Sequence, residues 1–193
     1  MKRMFKLGLL ACALGSLPLA PAQDFQELDR LLDSWTERGI YSGWSIVVVR
    51  DGKEIHRRDA GGHDENTSVY VASAGKWYMA ACIMTLVDDG LLSLDEPVSQ
   101  RIPEFRNDPK GKATLRQLLA HTSGYPNYQP RGFDDNYQTL QESVVALLPR
   151  PIETEPGTAW NYGGLAMQVA GRMAELASGM TWEELWKKKM GDP

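Results

Sequence analysis

The amino-acid sequence predicts an α+β chain, in which an antiparallel sheet begun by residues 44–59 is flanked by helices and followed by a helical region over about 73–180. The basis is a hairpin, a set of helical runs and a shortage of strands. Trp44 to Val49 is a β-rich apolar run, Asp51-Gly52 is a two-residue hairpin signal, and Lys53 to Arg58 is polar enough for a return strand. Elsewhere apolar residues recur at helical spacing in stretches closed by glycine. Two strands do not make an independently stable sheet, and so many helices have to cover something, so the sequence reads as incomplete at its C-terminal end.

Residues 1–22 read as a secretory leader. Lys2, Arg3 and Lys6 form a basic start, Leu7 to Leu19 form an apolar stretch, and Ala20-Pro21-Ala22 offers a cleavage site before Gln23. The stretch is short for a membrane span of roughly twenty residues, and Pro18 interrupts it. Cys12 follows Leu9-Leu10-Ala11 as in a lipid attachment site, but the apolar run continues past it and the later site fits better. Loss of the leader removes three basic residues and moves the formal net charge from −4 to −7, which argues against nucleic acid as a partner. Residues 23–193 suffice for one domain, and Cys82 is then the single cysteine, so no intrachain disulfide is available. The expected location is periplasmic or secreted.

In chain order, Asp24 is a helix cap, Phe25, Leu28, Leu31, Leu32 and Trp35 repeat at helical spacing, and Gly39 supplies the stop. After the hairpin, residues 61–67 form a loop leading to Val69-Tyr70-Val71. Trp77, Ala80, Ala81, Met84 and Val87 then mark one face of a helix closed by Gly90. Residues 91–98 are a connector, 114–120 a short helix, and 121–138 a long loop rich in Gly, Pro, Asn and Tyr. Residues 138–148 are helical, 149–158 a turn-rich crossing, 165–177 a helix stopped by Gly179, and Trp182 to Lys189 a last helix. Lys187-Lys188-Lys189 suits a helix C-terminus as a solvated face.

Ser73-Ala74-Gly75-Lys76 is an S-x-x-K tetrapeptide at a loop-to-helix junction, where positions i and i+3 bring hydroxyl and amine onto one face. A serine hydroxyl is a poor nucleophile until a base takes its proton, and an amine serves as base only when burial or nearby positive charge favours its neutral form. A helix N-terminus supplies such a field and an N–H for a developing oxyanion, worth roughly 3 kcal/mol per donor. Alone, the tetrapeptide is more often a capping serine and a solvated lysine. His121-Thr122-Ser123-Gly124 could supply a histidine base with Asp134 or Asp135 orienting it, but a histidine beside a turn is more often a hydrogen-bonded scaffold residue. His56 falls in the return strand and His63 in a loop, and the three histidines lack the i, i+4 spacing of a helical zinc site, so no metal is assigned.

The run VASAGKWYMAACIMTLVDDGLLSLDEPV, followed by IPEF, by TLRQLLAHTSGYPNY and by PGTAWNYGG, resembles the opening half of the class C β-lactamase branch of the serine β-lactamases and penicillin-binding proteins. That branch includes D-alanyl-D-alanine carboxypeptidases and esterases. The resemblance covers about residues 43–193. It implies a β-lactamase/transpeptidase-like fold, a small-molecule or peptide acyl substrate and no cofactor, with Ser73 acylated and Lys76 shuttling its proton. The family's Tyr-x-Asn motif corresponds to Tyr162-Gly163-Gly164, so Tyr162 inherits the role of general base or proton relay. Gly164 stands where asparagine would contact a substrate amide, which favours an esterase-like or uncharacterised substrate range, and Asn161 is a possible substitute. The third motif, Lys or His followed by Thr or Ser and Gly, has no counterpart after Tyr162, and weak or no turnover is expected of these residues alone. The alternatives from another class are a non-catalytic binding or scaffold relative and an inactive fragment of this fold.

Overall fold

The computed structural model describes residues 24–126 and 139–191, which form two compact units, residues 24–70 and 71–191.

The first unit is a helix on a hairpin. Helix α1 spans Gln26–Glu37; its cap is Phe25 rather than Asp24, although the Asp24 carboxylate accepts the Gln26 N–H at 2.9 Å. Strands β1 (Trp44–Arg50) and β2 (Lys53–Ala60) pair antiparallel from Arg50↔Lys53 to Trp44↔Ala60. The turn works because Asp51 and Gly52 both take positive φ, 51° and 71°, the backbone that matches strand twist in a two-residue hairpin. A bulge between Val48 and Val49 interrupts the register. Trp44, Ile46 and Val48 share the more covered face with His56 and Arg58. Helix α1 is tied to that face by polar pairs: His56 Nε2 lies 2.8 Å from Asp29 Oδ1, and Arg58 donates to Asp33 at 2.8 Å. Val47 and Val49 lie on the opposite, exposed face.

The second unit holds the buried core, centred on helix α6 (Leu165–Ser178). Packed on it are α2 (Gly75–Asp88), α3 (Val98–Arg101), α4 (Leu115–Leu119), α5 (Leu140–Leu147) and α7 (Trp182–Trp186). Ile83, Leu86, Phe105, Leu118, Val144, Val169, Met173 and Leu185 are essentially inaccessible to solvent. Close approach of α5 to α6 depends on Gly171, where a Cβ would stand 2.9 Å from the Leu140 side chain. Helix boundaries follow local chemistry. Thr114 and Thr181 each form a reciprocal capping box, with Gln117 and Glu184, satisfying orphan N–H groups. Gly179 (φ 71°) ends α6 as expected.

Several expectations need correction. Helix α2 buries Cys82, Ile83 and Leu86, with Met79 and Val87 partly covered, whereas Trp77 is 61% exposed. The helix is apolar almost all round, so spacing alone selects the wrong face. Residues 98–112 are a series of short helical turns, one 3₁₀ turn at Pro103–Phe105 and another at Pro109–Lys112 capped by the Asp108 side chain. The last helix ends at Trp186 and continues as a wider π turn over Lys187–Gly191. Lys189 in that turn is not simply solvated: its Nζ lies 2.6 Å from Asp89 Oδ2, joining the chain end to the end of α2. Residues 1–22, Asp134 and Asp135 lie outside the described residues.

Candidate active site

Ser73 occupies a 3₁₀ turn, Ala72–Ala74, that runs straight into α2. Ala72 enters this turn at φ 45°, a conformation that costs an L-residue with a Cβ roughly 1–2 kcal/mol. One helical turn on, the Lys76 ammonium donates to Ser73 Oγ at 2.9 Å. The i, i+3 geometry expected of the tetrapeptide is therefore realised.

Tyr162 lies on the irregular segment before α6. Lys76 Nζ lies 5.1 Å from its ring centroid. Hydrogen bonding to Ser73, and then to Lys76, holds the Tyr162 phenol below the ordinary tyrosine range, with the nearby ammonium charge acting in the same direction. The Lys76 side chain, near in sequence, and the Tyr162 side chain, far from it, thus converge on the Ser73 hydroxyl.

Tyr162 is fixed by a second loop. Residues 121–124 run alongside 153–161: Glu153 N–H donates to Gly124 C=O at 2.9 Å, Gly157 N–H to Thr122 C=O at 2.7 Å, and Asn161 N–H to His121 C=O at 2.8 Å. Gly124 (φ 76°) permits this approach, since a Cβ there would lie 1.9 Å from the Thr154 carbonyl oxygen. Tyr125, almost fully buried, anchors the loop by donating its hydroxyl to Lys110 C=O at 2.9 Å. Its phenol is pushed well above the ordinary range by burial.

The remaining candidates separate clearly. His121 takes φ 58° and bonds through its backbone, but its imidazole Nδ1 is buried with no hydrogen-bond partner. The ring packs instead on Tyr162, with centroids 4.6 Å apart, and on Trp160 at 6.4 Å. Among the described residues no side-chain hydrogen bond joins His121 to Ser73. The His121–Tyr162 contact escaped sequence reasoning, and the Gly- and Pro-rich character shared by the two loops was the one available signal. Asn161 is engaged elsewhere, donating its amide to Glu153 and, at 3.5 Å, to Tyr125 C=O. Gly164 caps α6 with no side chain, and a Cβ placed there meets nothing within 4 Å. His56 belongs to the first unit, and the described residues contain no cluster of three or more His, Cys, Asp or Glu able to hold a metal.

Comparison with known proteins decides the family, because the beta-lactamase family model matches residues 28–193. The chain belongs to the beta-lactamase family. Esterase EstB of Burkholderia gladioli is 30% identical over 177 residues, spanning 79% of this chain and 45% of the esterase. The solved "putative beta-lactamase" of Bacteroides dorei DSM 17855 superposes with a TM-score of 0.84 at 45% identity, over 88% of this chain and 51% of that one. A class C beta lactamase shares the fold, with a TM-score of 0.74 at 24% identity over 84% of this chain and 47% of its own. The α+β, beta-lactamase-like fold is thereby established, and the chain spans about half the length of these family members.

Proposed function

We propose that this chain carries the acylation machinery of a serine hydrolase, with Ser73 as nucleophile and Lys76 and Tyr162 moving its proton. The observation that carries the reading is the convergence of the Lys76 ammonium, 2.9 Å from Ser73 Oγ, and the Tyr162 phenol on one hydroxyl. A phenol held below its ordinary range is more often the phenolate near neutral pH, and so more able to accept the Ser73 proton. Oγ then bonds to the carbonyl carbon of the substrate, and the tetrahedral adduct collapses by breaking the bond to the leaving group. The proton held at Tyr162 passes through Lys76 to that leaving group, and water later reverses the sequence to release the acid.

An ester is the favoured substrate, in preference to a β-lactam or a peptide. Gly164 offers no side-chain amide to a substrate amide, and Asn161 is bonded elsewhere. The likeness to an esterase points the same way. Residues 1–22, with their basic start and apolar stretch, support a periplasmic or secreted location.

The test is intact mass after exposure to a fluorophosphonate and, separately, to a penicillin. The expected result is one fluorophosphonate adduct that Ser73→Ala abolishes and Tyr162→Phe slows by roughly 10²- to 10⁴-fold. A chain shown to be folded that takes up neither reagent refutes the reading in favour of a non-catalytic binding relative.

A further inference from the structure

We propose that His121 is a positioning residue for Tyr162: its imidazole ring is the wall that keeps the phenol on Ser73 and Lys76. This rests on the role given to Tyr162 above.

The backbone at His121 supplies the first reason. At φ 58° the position suits glycine, and the same turn uses glycine at its other left-handed position, Gly124 (φ 76°). A histidine held in this sparsely populated backbone region points to a role for its side chain. The buried Nδ1 of that side chain has no hydrogen-bond partner among the described residues. What the ring does is pack: it lies 4.6 Å from the Tyr162 ring and 6.4 Å from Trp160, which is itself 6.1 Å from Tyr162. The three rings form a closed set, and the Lys76 Nζ lies 5.1 Å from the centroid of its Tyr162 member. The His121 carbonyl meanwhile accepts the Asn161 N–H, so backbone and ring grip neighbouring residues of one segment.

The electrostatics agree. Burial, and then the Lys76 charge, hold the imidazole below its ordinary range, so the wall is uncharged at neutral pH. Lys76 is thus left as the cation that acts on the phenol. The groups facing the imidazole are Tyr162 and Trp160 from the segment before α6 and Lys76 from α2.

The experiment follows the Tyr162 ¹³Cζ resonance through a pH titration of the chain labelled at tyrosine, with Tyr162→Phe to assign it. His121→Gly removes the ring while relieving the left-handed backbone. His121→Asn, which also tolerates that backbone, serves as a second ring-deleting variant should the first not fold. The expected result is a Tyr162 pKa below the ordinary value of about 10 in the parent chain. In a folded ring-deleting variant it rises by half a unit or more, and fluorophosphonate labelling near neutral pH slows at least about threefold, since half a unit is about threefold in an equilibrium. An unchanged Tyr162 pKa in a folded variant overturns the positioning role and leaves the acylation reading intact. A parent chain in which Tyr162 titrates at the ordinary value overturns both.

Discussion

Replacing Gly164 by asparagine separates the fold's demand at this position from the substrate's. Gly164 has φ −83° and ψ −30°, ordinary for any residue, and a Cβ built there meets nothing within 4 Å. It caps α6, and no side chain bonds the first turn of that helix. Asparagine at a helix cap is better than glycine by only a few tenths of a kcal/mol. The expected change in stability is therefore within about 0.5 kcal/mol, or about 2 °C in melting temperature for a chain of this size. The same side chain restores the amide that the family's Tyr-x-Asn motif carries. One hydrogen bond to a substrate amide is worth about 0.5–1.5 kcal/mol, so acylation by a penicillin should rise roughly two- to twelve-fold relative to a simple ester. Thermal melts read the first quantity, and time courses of intact mass with the two reagents read the second. A loss of more than about 1 kcal/mol would show that the open space at Gly164 is needed by the fold. An unmoved ratio with stability intact would refute the argument that Gly164 tilts this site towards esters.

Gly124→Ala should lose about 2–5 kcal/mol in denaturant unfolding, combining a left-handed backbone with a Cβ 1.9 Å from the Thr154 carbonyl oxygen; a loss below about 1 kcal/mol would contradict the loop pairing described. His121 should make stability depend on acid: its folded-state pKa is depressed, so its contribution is complete above the unfolded value of about 6.5 and is lost as pH falls through the lower folded value. The stability difference between the parent chain and His121→Asn, followed from pH 8 to 4, should therefore shift against the parent on acidification, and a difference flat with pH would remove the buried, neutral histidine.

How much of this was legible in the sequence depends on how local the determining chemistry is. Asp51-Gly52 specified the hairpin because a type I′ two-residue turn requires positive φ at both positions, and few residue pairs supply it. The bulge at Val48/Val49 left no such mark. Ser73 and Lys76 were readable as a pair because one helical turn fixes their spacing, while Tyr162 entered only through resemblance, since no local rule links it to Ser73. The buried face of α2 was misread because its apolar residues cover nearly every side, and Trp77 looks as core-like in the sequence as Ile83 does. The turns at 98–112 went unread because 3₁₀ segments carry no 3.6-residue period, although Pro103, Pro109 and the cap at Asp108 were visible.

Backbone strain singles out the same site without reference to the family. Among the described residues three positions other than glycine have positive φ: Asp51, Ala72 and His121. Asp51 is accounted for by its hairpin turn. Ala72 immediately precedes Ser73, and His121 packs against Tyr162, so the two strained positions that no turn type demands both adjoin the reacting groups. Each such conformation costs of order 1–3 kcal/mol and persists only where the surroundings over-determine it. Those surroundings are α2 and α6, which leave Ser73 and Tyr162 at their N-terminal ends and bury Cys82, Ile83 and Leu86 against Val169, Ala170 and Met173 in one core. Each large apolar side chain so buried contributes about 1.5–3 kcal/mol, enough for a few such residues to offset both strained turns. The core is therefore what allows a hydroxyl, an ammonium and a phenol to be held together on segments that, left to local preference, would relax apart.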